Sequence, residues 1–329
     1  MNVQPFFKDE VLKTVNSINS RKDDGDLLFL LITDTHISDT TRHTLENLTA
    51  VDEKVRFSFM VHLGDVINGN IPEKISRWLL KEYIRAYRDS IKAKKIYVSQ
   101  GNHDGFLADS TTKKIILDRA LNENWYADLR EFYSDSNVHT PENKPYSYID
   151  IEEHKLRLII LCTQSYNLYP ETNEFEKLFG ISDDQLEWLE NSALNTPDGY
   201  SVMLFSHIPP FSDTKNEDGK VYISDNESDN YKNCVELLKE YKKRGDVIGW
   251  FFGHNHGDSH NVIDGINYVG VCSQTPAVPQ FWEPIGTFPE HRTQGTFFED
   301  AWDSVLWKKE ERKVYLYRFG AGYDRIISY

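Results

Sequence analysis

The sequence predicts an α/β fold, and three observations carry that prediction. Apolar runs at residues 27–33, 57–63 and 95–99 read as strands buried on both faces. Residues 73–92 place Ile75, Leu79, Tyr83, Ala86 and Ile91 at helical spacing, the signature of an amphipathic crossover helix. Each strand run then stops at a polar segment, at the carboxyl end where open α/β sheets bind ligands.

In chain order, residues 1–26 form a polar lead-in with a short helical stretch near 10–18. Residues 27–329 are read as a single domain with inserts near 105–145, 211–230 and 275–302. The first insert is irregular to helical and rich in aromatic residues (Trp125, Tyr126, Phe132, Tyr133), which suits a cap or substrate wall. Residues 146–151 and 155–162 then read as a hairpin across Glu152-Glu153-His154. Ser182 and Gln185 have the spacing of a capping box opening a helix through Leu194. A strand at 201–205 leads into an acidic loop at about 211–230. A helix at 233–244 and a strand at 247–252 follow.

Beyond that point the pattern changes. Residues 262–263 and 266–272 pair across Asp264-Gly265, a strong hairpin signal. Residues 304–307 and 313–319 form another hairpin, so the late strands imply a second, partly antiparallel sheet. The stretch 275–302 is long for a connection inside a compact domain, and loops of that length are more often functional than idle.

Composition narrows the class. The chain has 329 residues, 39% hydrophobic and 27% charged, ordinary proportions for a soluble globular protein. A net charge of −15 opposes binding to polymeric nucleic acid. It still permits a small anionic ligand wherever a local pair of cations reverses the field. The three cysteines, Cys162, Cys234 and Cys272, lack metal or redox spacing and are read as buried reduced thiols. Neither a signal peptide nor a membrane span of about 18 apolar residues is recognisable. The expectation is a cytoplasmic protein with no membrane partner; release by lysis or assembly into a particle would leave no trace in the sequence.

Five polar segments carry the chemistry: Asp34-Thr35-His36, Gly64-Asp65, Gly101-Asn102-His103-Asp104, Ser206-His207 and Gly253-His254-Asn255-His256. Carboxylate oxygen and imidazole nitrogen suit hard or borderline divalent metals. Asp34 and His36 can converge on one ion in the turn leaving a strand. Asp65 can bridge two ions with its two oxygens. Asn102 adds a neutral amide oxygen, which avoids excess negative charge where a phosphate must approach. His207, His254 and His256 come from separate loops at the same sheet edge. His103 adjoins a ligand without needing to be one; it is placed to contact a phosphate and protonate a leaving oxygen. Asp104, or another carboxylate, is a candidate to orient it.

In this order, DxH, GD, GNHD, H and GHxH, the chain resembles the calcineurin-like metallophosphoesterases over about residues 27–319. The segment from His291-Arg292-Thr293 through Asp300-Ala301-Trp302-Asp303, and that from Arg318 to Arg325, resemble a bacterial and phage branch of the family. The resemblance implies a sandwich of two mixed β-sheets flanked by helices, the metallo-dependent phosphatase fold. It implies Asp34, His36, Asp65 and His256 around one divalent ion, and Asp65, Asn102, His207 and His254 around another. It implies metals drawn from Mn, Fe, Zn or Ni, and in-line attack on phosphorus by a metal-bridging hydroxide. Two ions suit that displacement because they stabilise the entering and leaving oxygens together.

Other residues are read more plainly. His62 lies inside a strand and is expected to be a satisfied core histidine. His43, His139, His154 and His260 carry little functional signal. His291 and Arg292 are substrate-side candidates because the long late loop can bring them over the site. Phe281, Trp282, Phe288, Phe297 and Phe298 are read as loop packing rather than a base-stacking platform. Asp225 to Asp229 is read as a solvated acidic run, or a gate beside the metals.

The function expected is a metal-dependent phosphohydrolase, a phosphodiesterase acting on a small or carbohydrate-linked phosphate ester. A nucleotidase or phosphomonoesterase would use the same ions. A phage-particle module retaining the fold without turnover is the third reading, and a complete ligand set argues against it.

Overall fold

The computed structural model describes residues 3–69, 73–104, 128–133, 136–142, 144–169, 174–212, 220–224, 230–276 and 292–329. Early in the chain come α1 (Lys8–Asn19), β1 (Leu27–Ile32), α2 (Thr41–Val55), β2 (Met60–His62), α3 (Glu73–Asp89) and β3 (Ile96–Val98). Then follow β4 (Val138–His139), β5 (Ser147–Ile151), β6 (Leu156–Ile160), β7 (Gln164–Tyr169), β8 (Glu174–Phe179) and α4 (Asp183–Trp188). The next elements are β9 (Ser201–Ser206), α5 (Tyr231–Tyr241), β10 (Val247–Phe252), β11 (Ser259–Ile263) and β12 (Ile266–Gly270). The last three strands are β13 (Ala301–Lys308), β14 (Lys313–Gly320) and β15 (Arg325–Ser328).

Two mixed sheets result. One has the order β15-β14-β13-β1-β2-β3, the other β11-β12-β10-β9-β6-β5-β4. β1, β2 and β3 run parallel, as do β6, β9, β10 and β12. β13 lies antiparallel beside β1, which makes β1 an interior strand. Its sequence LLFLLI, apolar at every position, is what an interior strand between two filled layers requires.

The side-chain alternation of β1 separates the layers. Leu27, Phe29 and Leu31 enter a core between the sheets with Met203, Phe205 and Phe251. Leu28, Leu30 and Ile32 enter a second core with Val11, Leu48 and Ile84 from the helices. The second sheet turns Ile159, Leu204 and Trp250 outward onto Leu189, Val235 and Leu238. Burying each such side chain is worth about 1.5–3 kcal/mol, so both sheets are fixed on both faces. The consequence for function is positional: the carboxyl ends of β1, β2, β3, β9 and β10 come to one edge of the sandwich.

Several sequence expectations need correction. The second, partly antiparallel sheet expected from the late strands is present, but those strands are shared between the two sheets. The β11–β12 hairpin extends the second sheet, because β12 pairs parallel with β10, while β13–β14 joins the first sheet against β1. Ser182 does begin α4, but no side chain caps the helix there. Gln185 turns inward instead: its Oε1 accepts from the Cys162 amide at 2.8 Å and its Nε2 donates to the Cys162 carbonyl at 2.6 Å. Buried backbone groups without a ladder partner outbid a solvent-side cap for that amide. Helix α2, the β7–β8 hairpin and β15 have no counterpart in the sequence reading. Most of the 105–145 insert and parts of the other two, including Asp225 to Asp229, Phe281, Trp282, Phe288 and His291, lie outside the described residues.

The hairpin at Asp264-Gly265 forms as expected, with φ of 53° and 71° at the two turn residues. All three cysteines are free and buried. No helix among the described residues is long and apolar enough to cross a membrane.

Candidate metal centre

The five polar segments meet where the parallel strands end, and the backbone there is bent sharply. Asp34, His36, Asp65, His254 and His256 have φ of 49°, 45°, 52°, 68° and 57°. The left-handed region costs a non-glycine residue roughly 1–2 kcal/mol, so this concentration is held by its surroundings rather than by local preference. Cross-links between the loops do the holding. The Asp34 amide donates to the Gly64 carbonyl at 3.0 Å, the His36 amide to Asp65 at 3.1 Å, and the Gly253 amide to His207 at 3.0 Å. Gly101 crosses the Asp65 loop so closely that a Cβ would lie 2.0 Å from the Asp65 nitrogen. The glycine of the GNHD segment is therefore a steric requirement of the site.

The side chains converge. Asp34 is fully buried, and its Oδ2 accepts from Thr33 Oγ1 at 2.7 Å and from the His254 amide at 3.0 Å. Its Oδ1 has no hydrogen-bond partner and lies 3.3 Å from His256 Nε2 and 3.9 Å from His36 Nε2. Asp65 divides its oxygens the same way. Oδ1 accepts from the His103 amide at 2.7 Å, and Oδ2 sits 3.2 Å from His207 Nε2 and 3.7 Å from His36 Nε2. Both ring nitrogens of His36 are buried without a hydrogen-bond partner. His207 Nδ1 donates to the Leu63 carbonyl at 2.8 Å, which fixes the tautomer and turns Nε2 toward Asp65 and toward Asn102 Oδ1, 3.0 Å away.

Ligand atoms bound about 2.1 Å from a common ion lie roughly 3–4 Å from one another, and these separations fall in that range. Three groups bring their ligand atoms within 4.8 Å of one another: Asp34, His36 and His256; Asp34, Asp65 and His207; and His36, Asp65 and His103. The orphaned Asp34 Oδ1 and His36 nitrogens need a partner that no hydrogen-bonding group among the described residues supplies. The residues present therefore fit divalent ions.

Electrostatics agree. Burial pushes the Asp34 carboxyl up, but His256 and His207 outweigh it and hold the group well below the usual range. Asp65 behaves likewise, with His207 as its largest opposing influence. Burial opposes charge on His207, yet Asp65 and Asp34 raise it to about 9. The centre is a pool of buried negative charge that attracts a cation. His36 is pushed down by burial, which suits a neutral ligand.

The other expected residues sort differently. His254 joins none of the three groups; its ring lies 5.1 Å from that of His207 and 5.5 Å from that of Phe179. The His103 side chain is half-open, 38% exposed, with its ring 4.9 Å from His36 and its Nε2 3.9 Å from Asp65 Oδ2. Asp104 does not orient it. Its Oδ1 accepts from the Val66 and Ile67 amides at 2.8 and 3.2 Å, and its Oδ2 from the Gly101 amide at 3.0 Å. Burial, followed by the charge of Asp65, pushes this carboxyl up to about 7. Asp104 is thus a staple between the second and third loops.

His62 is a buried structural group, accepting from the Gly64 amide at 3.1 Å and pushed down by burial to about 3. Arg292 also proves structural. Its guanidinium donates to the carbonyls of Phe298, Ser273, Thr275, Gln274 and Glu299, which uses its fork on backbone rather than on substrate. A surface-loop sequence gives no hint that those carbonyls lack strand partners.

Sequence reasoning missed Thr33, Gln100, Thr163 and Phe179, which brace or border the site. Thr33 and Gln100 each sit one or two positions before an expected ligand, the sole signal available. Thr163 and Phe179 had none.

Fold and site together define a metal-dependent hydrolase. A family model described as calcineurin-like phosphoesterase matches residues 27–258, and the chain belongs to that family; it is a phosphoric ester hydrolase. No curated protein sequence gives a match. Among solved structures, a dimetal phosphatase from Danio rerio superposes with a TM-score of 0.53 at 15% identity, covering 92% of this chain and 99% of that one. GAP50, the anchor in the inner membrane complex of Plasmodium, gives 0.51 at 12% identity, covering 92% of this chain and 89% of its own. At such identities both establish the shared fold of two mixed sheets with flanking helices.

Proposed function

We propose that the protein is a dinuclear metal-dependent phosphodiesterase acting on a small or carbohydrate-linked phosphate ester. One observation carries the reading: Asp34 and Asp65 each anchor one oxygen in the fold and turn the other into a shared cluster of imidazoles. Asp34, His36, Asp65 and His256 would hold one ion, and Asp65, Asn102, His207 and His254 the other. The metals would be drawn from Mn, Fe, Zn or Ni. When bound, such ions supply Lewis-acid charge to the phosphate oxygens and make a water more acidic.

The chain's own groups do the rest. The buried carboxylates and His207 fix where charge accumulates, so little reorganisation is needed as the reaction proceeds. His103, half-open beside the cluster, would touch the phosphate and deliver a proton to the leaving oxygen through its ring nitrogen. A diester brings one negative charge where a monoester brings nearly two, which suits a chain of net charge −15.

Purified protein loaded with Mn should hydrolyse bis-p-nitrophenyl phosphate, and Asp65→Asn should abolish turnover while leaving the far-ultraviolet circular dichroism unchanged. Equal rates in the two proteins would defeat the assignment. Faster release from p-nitrophenyl phosphate than from the diester would turn the reading to a phosphomonoesterase or nucleotidase.

A further inference from the structure

Just beyond β12, the segment Ser273-Gln274-Thr275 touches both loops that carry Asp34, His36 and His256. The Gln274 amide donates to the Thr33 carbonyl at 2.9 Å, one residue before Asp34. The Ser273 amide donates to the His256 carbonyl at 3.4 Å. Thr275 Oγ1 donates to Ser38 Oγ at 2.9 Å, two residues after His36. Asp34, His36 and His256 all have positive φ, a backbone that needs its neighbours to hold it. The same loops carry the orphaned Asp34 Oδ1 and His36 nitrogens.

The segment lies outside any strand, and its three residues are buried. Arg292 pairs its carbonyls. Nη1 donates to Ser273 at 2.6 Å and to Thr275 at 3.2 Å. Nη2 donates to Gln274 at 2.5 Å and to the Glu299 carbonyl at 3.0 Å, while Nε donates to that of Phe298 at 3.0 Å. One planar fork thus joins the whole segment to residues 298–299, a geometry open to arginine and not to lysine. Asp300 holds the Gln274 side chain: its Oδ1 accepts from Gln274 Nε2 at 3.0 Å and from Thr44 Oγ1 of α2 at 2.9 Å.

The loops of Asn102 and His207 are braced by different groups. Gln164 Nε2 donates to the Gln100 carbonyl at 3.1 Å, and the Ile208 amide donates to Thr163 Oγ1 at 3.0 Å.

We propose that Arg292 is a positioning residue for one ion of the pair. It sets the affinity of the Asp34, His36 and His256 site and leaves that of the Asp65, Asn102 and His207 site nearly unchanged. This rests on the dinuclear reading above. Without the fork, three buried carbonyls lose their partners, and the segment must shift to satisfy them. Its amides then no longer hold the Asp34 and His256 loops together.

The test is Mn binding by calorimetry, with electron paramagnetic resonance reporting whether two Mn ions sit together as a coupled pair. Wild type should bind two ions and give the coupled spectrum. Arg292→Ala should keep one affinity and weaken the other roughly 10–100-fold, giving isolated Mn where wild type is fully paired. Arg292→Lys, which keeps the charge but not the fork, should show a smaller loss of the same kind, and it carries the test should the alanine variant unfold. His256→Ala should bind a single Mn, and adding Arg292→Ala to it should leave that ion's affinity unchanged.

Equal weakening of both ions, or two unchanged affinities, would overturn the proposal. So would a further loss on adding Arg292→Ala to His256→Ala, since Arg292 would then serve the fold at large. A wild type that binds one Mn would refute the dinuclear reading instead. Arg292 would keep its role there if Arg292→Ala weakened that ion, and unchanged binding would end it.

Discussion

Asp34 and Asp65 on one side, and Asp258 and Asp303 on the other, are four buried carboxylates in opposite surroundings. The second pair faces guanidinium groups. Arg318 reaches Asp258 at 2.6 Å and Asp303 at 3.0 Å, and Arg325 joins both carboxylates. The charge there is permanent and balanced within the chain. The first pair faces imidazoles, one of which has no partner at either nitrogen, and one carboxylate oxygen is left orphaned. Arginine closes a charge cluster, whereas histidine leaves lone pairs for a cation. The closed cluster also braces the open one. Asp258 lies two residues beyond His256, and it accepts from the Cys272 amide at 3.1 Å.

The comparison breaks most visibly at Arg318. Arg318→Met leaves Asp258 and Asp303 to share Arg325 alone and should cost about 3–5 kcal/mol, read as a fall in the urea midpoint. Asp65→Asn should leave that midpoint nearly unchanged; matching losses in the two variants would erase the distinction. Next in size is His103→Ala, expected to lower kcat roughly 100-fold or more on alkyl esters and far less on p-nitrophenyl esters, which need no proton on departure. Bound metal, measured by plasma mass spectrometry, should be unchanged; its loss would make His103 a ligand, as its place beside His36 and Asp65 permits.

Cation binding should itself stabilise the open cluster. Mn at 100 times its Kd should add about 2.7 kcal/mol, seen as a rise in Tm. Asp34→Asn should remove the rise, and a full rise in that variant would move the cation to another place. The smallest effect is a pH dependence. Burial pushes Asp258 up, but Arg318 and Arg325 outweigh it and hold its carboxyl below the ordinary range. Its stabilising share is therefore present above the unfolded carboxylate pKa of about 3.9 and fades as pH falls through the lowered value. Asp258→Asn should be less stable than wild type at pH 7, with the gap closing below pH 4 in urea unfolding. A gap independent of pH would detach Asp258 from the arginines.

Much of this was legible before the fold. The β1 sequence announced an interior strand because every position is apolar, and Asp264-Gly265 announced its turn because that dipeptide tolerates positive φ. The five polar segments were legible because each ends a strand run. Other features were hidden for definite reasons. Helix α2 and the β7–β8 hairpin lie between stronger signals, and α2 buries Thr44, Asn47 and Asp52 beside its apolar face, which blurs its periodicity. Gln185 imitated a capping residue because a sequence does not show that the Cys162 backbone lacks partners. Arg292 imitated a substrate ligand for the same reason, its five carbonyl acceptors coming from residues 273–299.

By itself, then, the sequence determined the donor types and their order, and these depend on local chemistry: carboxylates, imidazoles and an amide, each at the end of an apolar run. Only the tertiary structure decided how those donors divide their atoms. Which oxygen of Asp34 is spent on the His254 amide and which is left for a cation, that Asp104 staples the Asp65 loop, and that Phe179 stands beside His254 all depend on groups distant in the chain. Close packing of two sheets brings them within a few ångströms, and no local pattern encodes that approach.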